Sequence, residues 1–166
     1  MTKLVEMDLE FDFNDAIHVF QFDDDSYHGS SSCQRVDFIA EYEDCYRFIE
    51  VKDPDIPGAA NVKGFQQKFK SGKLIQSLSG KYRDSLFFRT IQNKVDKKIQ
   101  YIVLLSMQAL DAPLLMSKQD ELHRSIPFSH NDWQNNSAAS CIVLNLQQWK
   151  RFFGENSVRR LSEETL

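Results

Sequence analysis

Residues 36–54 read VDFIAEYEDCYRFIEVKDP, and this stretch carries the strongest structural signal in the chain. Its apolar and aromatic runs, 36–42 and 46–52, lie on either side of the polar pair Glu43-Asp44, a pattern typical of a β-hairpin. The following segment, 53–58, contains two prolines and a glycine and therefore ends the second strand. The sequence thus predicts two antiparallel strands joined by a short loop.

The length of that loop determines which side chains face each other. A loop of two or four residues centred on Glu43-Asp44 places Asp37 directly opposite Glu50, about 5 Å away on the same face. Because side chains alternate along a strand, Lys52 also lies on this face, roughly 7 Å further along. A three-residue loop would instead shift the register and turn Asp37 to the other face.

Two carboxylates side by side in an otherwise apolar hairpin need a compensating charge. Like charges in a partly dry site repel each other, so one carboxylate tends to stay protonated. A divalent cation between Asp37 and Glu50 removes that cost, and hard oxygen ligands favour Mg²⁺ or Mn²⁺. Lys52 can then orient a water molecule or stabilise negative charge on a phosphate. The alternative interpretation is a plain ion-pair cluster at the rim of a sheet.

The Asp…Glu-x-Lys arrangement of Asp37, Glu50 and Lys52 resembles the PD-(D/E)XK nuclease superfamily, which has a restriction-endonuclease-like fold. Val36 replaces the proline of that motif. The resemblance implies that Asp37, Glu50 and the carbonyl of Val51 hold Mg²⁺, while Lys52 positions or activates the attacking water. Residues 27–53 also resemble a group of small bacterial proteins, a likeness that suggests no substrate.

The order of elements predicts an α/β fold with a mixed central β-sheet and helices on both faces, as in the restriction-endonuclease-like fold. Strands are expected at 15–22, in the hairpin, and at 98–107 and 140–144, and residues 4–11 are ambiguous between helix and strand. Helices are expected at 61–70, 73–93, 113–124 and 146–153. We expect one PD-(D/E)XK nuclease-like domain over 1–166, with a frayed tail at 155–166.

Charge is distributed unevenly along the 166 residues. Residues 1–55 carry a net charge of −11, whereas residues 63–98 carry +8, within a total of −4. The cations therefore follow the candidate metal site in sequence, where a phosphate backbone would need them. Lys73, Lys81 and Arg83 are the candidates for nucleic-acid binding, with a solvated helix face as the alternative.

Composition restricts the class of protein. Three cysteines without a Cys-x-x-Cys spacing predict neither a disulfide framework nor a zinc site. No apolar run approaches the ~20 residues of a membrane span, so a cytoplasmic protein is expected.

The function predicted from these residues is Mg²⁺- or Mn²⁺-dependent hydrolysis of DNA phosphodiester bonds, with specificity supplied by a homodimer or by a partner protein. One alternative is a catalytically silent nuclease-fold subunit that binds nucleic acid or another protein. Another is an acidic interaction protein in which the three residues meet by accident.

Overall fold

The computed structural model describes residues 3–165, which form two β-sheets and five α-helices. The strands are β1 Lys3–Glu6, β2 Leu9–Asp12, β3 His18–Gln21, β4 Phe38–Glu41, β5 Cys45–Lys52, β6 Lys98–Leu105, β7 Ser140–Leu144 and β8 Val158–Arg160. The helices are α1 Asp25–His28, α2 Val62–Lys70, α3 Lys73–Ile91, α4 Ala112–Ser125 and α5 Leu146–Phe153.

The larger sheet has five strands in the order β3-β4-β5-β6-β7. The first three strands are antiparallel, whereas β6 and β7 run parallel to β5. The parallel pair β5 and β6 is connected through α2 and α3, because parallel strands require a long crossover. Strand β5 lies at the centre and is buried along most of its length.

The predicted hairpin register is confirmed. Phe38 pairs with Ile49 and Glu41 pairs with Tyr46, and the N–H of Tyr42 donates to the carbonyl of Cys45. The loop therefore consists of Glu43-Asp44. Continuing this register by one residue brings Asp37 opposite Glu50.

A hydrophobic core lies on each face of this sheet. One core is formed with α2, α3 and α4, and includes Leu78, Tyr82 and Leu122. The other is formed with α5, β2 and β8, and includes Phe11 and Trp149. The prediction of a mixed sheet covered by helices on both faces is thus confirmed, and a three-stranded sheet, β1-β2-β8, adds to the second face.

Turn and capping residues lie at two of the helix boundaries. The break between α2 and α3 falls at Ser71-Gly72, and Gly72 adopts a left-handed conformation with φ 77° that favours glycine. The side chain of Asp111 caps α4 by accepting from the N–H of Leu114 at 2.9 Å. The ambiguous segment 4–11 lies in the β1–β2 hairpin. Among residues 3–165, no helix combines the length and apolar character of a membrane span.

The expectation of a frayed tail over 155–166 is wrong, because residues 155–165 form regular structure. Strand β8 pairs with β2 in an antiparallel register, and Val158 is 1% exposed. A 3-10 turn precedes this strand and another, Leu161–Thr165, follows it. The segment is ordered because Val158 is part of a core and Arg160 is bound by acidic side chains. Residue 166 lies outside the described part.

Candidate active site

The site lies where β5 leaves the hairpin and β4 begins. Asp37 directly precedes β4, and its carbonyl accepts from the N–H groups of Phe22 and Asp23, at 2.7 and 3.3 Å. The N–H of Val36 donates to the hydroxyl of Ser85 on α3 at 3.0 Å, which fixes the entry to β4. Both carboxylates are consequently held by secondary structure on the α3 side of the sheet.

Both carboxylates are removed from water. Asp37 is 5% exposed and Glu50 is fully buried. Burying a charge is costly unless it is paired, so these groups need partners. Those partners are two lysines, from a strand and a helix.

Lys52 and Lys81 converge on one carboxylate oxygen. The Nζ atom of Lys52 lies 2.6 Å from Oε1 of Glu50, and the Nζ atom of Lys81 lies at the same distance from that atom. Lys81 is also 3.8 Å from Oδ1 of Asp37. The predicted grouping of Asp37, Glu50 and Lys52 on one face is therefore present, with Lys81 as a fourth member.

The backbone of Val51 completes the cluster. Its N–H donates to Oδ2 of Asp37 at 2.7 Å. The N–H and C=O of one strand residue point to the same side of the strand. The carbonyl of Val51 therefore also points toward the β4 side, where Asp37 lies.

The electrostatics follow from this packing. Burial and the neighbouring Glu50 raise the pKa of Asp37 to about 7, against the opposing effects of Lys81 and the Val51 N–H. For Lys81, burial disfavours the charged form, but Glu50 and Asp37 outweigh it and raise its pKa above the ordinary value. Without a further cation, Asp37 thus stays mostly protonated up to a pH of about 7.

This pKa makes the stability of the metal-free protein depend on pH. The pKa of Asp37 is about 7 in the folded protein against an ordinary 3.8, so the folded state binds the proton more tightly. We expect the free energy of unfolding to fall as pH rises from about 4 to 7, by on the order of 2–4 kcal/mol relative to Asp37→Asn. Urea denaturation of both proteins across this range measures the difference. A constant difference between them would contradict the expectation.

The residues present fit a hard divalent cation. Atom Oε2 of Glu50 is buried and has no hydrogen-bond partner within the described part of the chain. Such an orphaned acceptor is costly unless a ligand satisfies it. Together with Asp37 and the Val51 carbonyl, it forms a set of oxygen ligands of the kind that Mg²⁺ and Mn²⁺ take.

The three predicted nucleic-acid contacts occupy different environments. Lys73 is exposed at the start of α3, and the side chain of Arg83 is 62% exposed beside Asp84. Lys81 points instead toward the sheet, with 17% of its side chain exposed. Residues two apart on a helix lie on nearly opposite sides, so Lys81 and Arg83 do not share a face.

The role of Lys81 beside the carboxylates was missed by the sequence analysis, although the chain contains the signal for it. Lys81 follows Leu78 by three residues and Leu74 by seven, which is the spacing of one helix face. Since Leu74 and Leu78 are buried against the sheet, that face brings Lys81 toward Glu50.

A second ion-pair network, also missed from the sequence, holds the end of β5. Asp53, which directly follows Lys52, has no exposed side-chain surface and binds Arg160 through two hydrogen bonds of 2.7 and 3.0 Å. Arg160 also donates to the hydroxyl of Ser106 at 3.0 Å and lies 3.2 Å from Asp8. Because the N–H of Ser106 donates to the carbonyl of Lys52, this network supports the strand end that carries the lysine.

No protein-family model matches the chain, and no curated protein matches it significantly. Among solved structures, the chain is similar to the small subunit, R.BspD6I2, of the heterodimeric restriction endonuclease R.BspD6I. That match has a TM-score of 0.42 and 15% sequence identity, and covers 92% of this chain and 68% of the subunit.

Proposed function

We propose that the protein is a metal-dependent nuclease of the PD-(D/E)XK type, which hydrolyses DNA phosphodiester bonds in the cytoplasm. A homodimer or a partner protein would supply its sequence specificity. The buried pair of Asp37 and Glu50 is the observation that carries this proposal, because one oxygen of the pair has no partner among residues 3–165. A divalent cation and a phosphate would satisfy this site.

Each residue has a distinct role in the proposed reaction. Asp37, Glu50 and the carbonyl of Val51 would hold Mg²⁺ or Mn²⁺. Such a cation polarises a phosphoryl oxygen and lowers the pKa of bound water. Lys52 positions the attacking water and stabilises the negative charge that develops on the phosphate. Lys73 and Arg83, both exposed on α3, are the proposed contacts to the DNA backbone.

Cleavage assays with matched variants test this function. We expect the wild-type protein to cut plasmid or linear duplex DNA with Mg²⁺ or Mn²⁺, and to be inactive with a chelator. Glu50→Gln should reduce the rate by about a hundredfold or more, because it removes the charge that holds the cation. Lys94→Met, a change at an exposed lysine beyond α3, serves as the control and should cut at the wild-type rate.

The substrates should include single-stranded DNA and RNA, and the assay should be repeated with any partner protein encoded beside this one. Metal-dependent cutting that Glu50→Gln leaves unchanged would show that the chemistry lies elsewhere.

A second candidate function follows from the two lysines on Glu50. Their ammonium groups, each 2.6 Å from Oε1, already neutralise the charge of Glu50. A site neutralised in this way is compatible with a catalytically silent subunit that binds DNA or another protein. For such a subunit, no metal would produce cutting, and only substitutions at the exposed basic residues would weaken DNA binding.

A further inference from the structure

We propose that Lys81 exchanges its contacts with Asp37 and Glu50 for a contact with nucleic acid when a metal ion binds. In the free protein its ammonium group occupies the place of a metal ion between Asp37 and Glu50. When a divalent cation enters, Lys81 moves to a backbone phosphate of the bound nucleic acid. Metal and nucleic acid therefore bind cooperatively. This inference rests on the nuclease function proposed above and describes how its site is regulated.

The position of Lys81 supports the first step. Its Nζ atom is 2.6 Å from Glu50 and 3.8 Å from Asp37, so it bridges the two carboxylates that would hold the metal. Lys52 contacts Glu50 at 2.6 Å, and no contact of Lys52 with Asp37 within 4 Å occurs in the described structure. Lys81 is consequently the lysine that a metal ion would displace.

A metal ion and the ammonium group of Lys81 cannot occupy this site together, because both are positively charged. Magnesium binds oxygen ligands at about 2.0–2.1 Å, so a cation held by both Asp37 and Glu50 would lie close to the ammonium group of Lys81, the lysine that contacts both carboxylates. Two positive charges at such a separation in a buried site repel strongly. Metal binding to the free protein therefore has to include displacement of Lys81.

A phosphate of bound nucleic acid can contact the displaced Lys81 at the protein surface. The Lys81 side chain keeps 17% of its surface exposed, so part of this flexible side chain already reaches solvent. The helix that carries it also presents Lys73 to solvent. A phosphate near the site would give the displaced ammonium group a new partner, and this exchange lowers the cost of metal entry.

The exchange can be measured because the affinities for metal and for nucleic acid depend on each other. If nucleic acid improves the affinity for metal, then metal must improve the affinity for nucleic acid by the same factor. An uncharged side chain at position 81 removes the competitor of the metal and also the new phosphate contact. Such a variant should bind metal more tightly than the wild type without nucleic acid, and should lose the part of the coupling that depends on Lys81.

Isothermal titration calorimetry with Mg²⁺ tests this exchange, with and without a short DNA duplex whose phosphorothioate linkages resist hydrolysis. For the wild type, we expect the duplex to raise the affinity for Mg²⁺ at least tenfold. For Lys81→Met, the affinity without duplex should be at least tenfold higher than that of the wild type, and the duplex should raise it by a clearly smaller factor than in the wild type, because only the contact between metal and phosphate remains. Lys94→Met is the charge-matched control and should keep the wild-type coupling.

Thermal melting shows whether the Lys81→Met variant folds. Lys81→Met should melt at a lower temperature than the wild type without metal, and millimolar Mg²⁺ should raise its melting temperature more. If this variant does not fold, Lys81→Gln, which keeps a hydrogen-bond donor, replaces it in the titration. An affinity of the folded variant for Mg²⁺ equal to or below that of the wild type would overturn the exchange.

Different results would contradict the exchange of Lys81 and the nuclease function. If the wild type binds Mg²⁺ and cuts DNA but the variant gains no affinity, only the role of Lys81 is wrong. If no protein binds Mg²⁺ with or without DNA, both the exchange and the metal-dependent reaction are overturned.

Discussion

Lys52→Ala is expected to reduce metal-dependent DNA cleavage by about a hundred- to a thousandfold, the usual effect of removing one group that stabilises a transition state. Its Nζ atom lies 2.6 Å from Glu50, at the edge of the proposed metal site. The substitution leaves the side chains of Asp37 and Glu50, the proposed metal ligands, in place. The loss should therefore appear in the chemical step.

DNA binding separates a catalytic role from a binding role for Lys52. Fluorescence anisotropy should show that Lys52→Ala keeps most of the salt-dependent affinity of the wild type. Lys73→Ala combined with Arg83→Ala should instead weaken binding and reduce the salt slope, by roughly one unit for each phosphate that the protein no longer neutralises. Undiminished cleavage by Lys52→Ala would show that another group performs the chemistry assigned to this lysine.

Arg160→Ala is expected to lower the free energy of unfolding by about 3–5 kcal/mol. The substitution leaves Asp53, whose side chain has no exposed surface, without its two hydrogen bonds from the guanidinium group. A buried carboxylate without its charged partner bears the full cost of its desolvation. Urea denaturation monitored by circular dichroism measures this decrease.

The control for this prediction is Arg151→Ala on α5. Arg151 is exposed, so its removal should change stability by no more than about 0.5 kcal/mol. Arg160→Ala should also weaken Mg²⁺ binding in the protein that remains folded, because Asp53 and Ser106 lose the group that ties them together beside Lys52. A loss of stability below about 1 kcal/mol would mean that water satisfies Asp53 without the arginine.

Much of the fold follows from local patterns in the chain. The two-residue loop at Glu43-Asp44 sets the register of β4 and β5, and the two-residue period of a strand then places Asp37, Glu50 and Lys52 on one face. Capping and turn residues likewise lie where two helices begin, as at Asp111 for α4 and Gly72 for α3. These features depend on neighbours within a few residues, which is why they can be deduced from a single sequence.

The second lysine of the site required the packing of a helix against the sheet. Lys81 reaches Glu50 across 31 positions of the chain, whereas Arg83, two residues further along α3, lies on nearly the opposite side of the helix. The periodicity of Leu74 and Leu78 indicates which face of α3 is buried. It does not say which residue of the sheet that face meets.

The partner of Asp53 lay still further away. Arg160 contacts it across 107 positions, from a segment whose composition is that of a solvent-exposed tail. Strand β8 forms because β2 offers an edge for pairing and because Val158 enters a core. Neither condition can be deduced from the residues near β8. Hairpin register is a short-range property of the backbone, whereas the choice of counter-ion for a buried carboxylate depends on which distant elements come together when the chain folds.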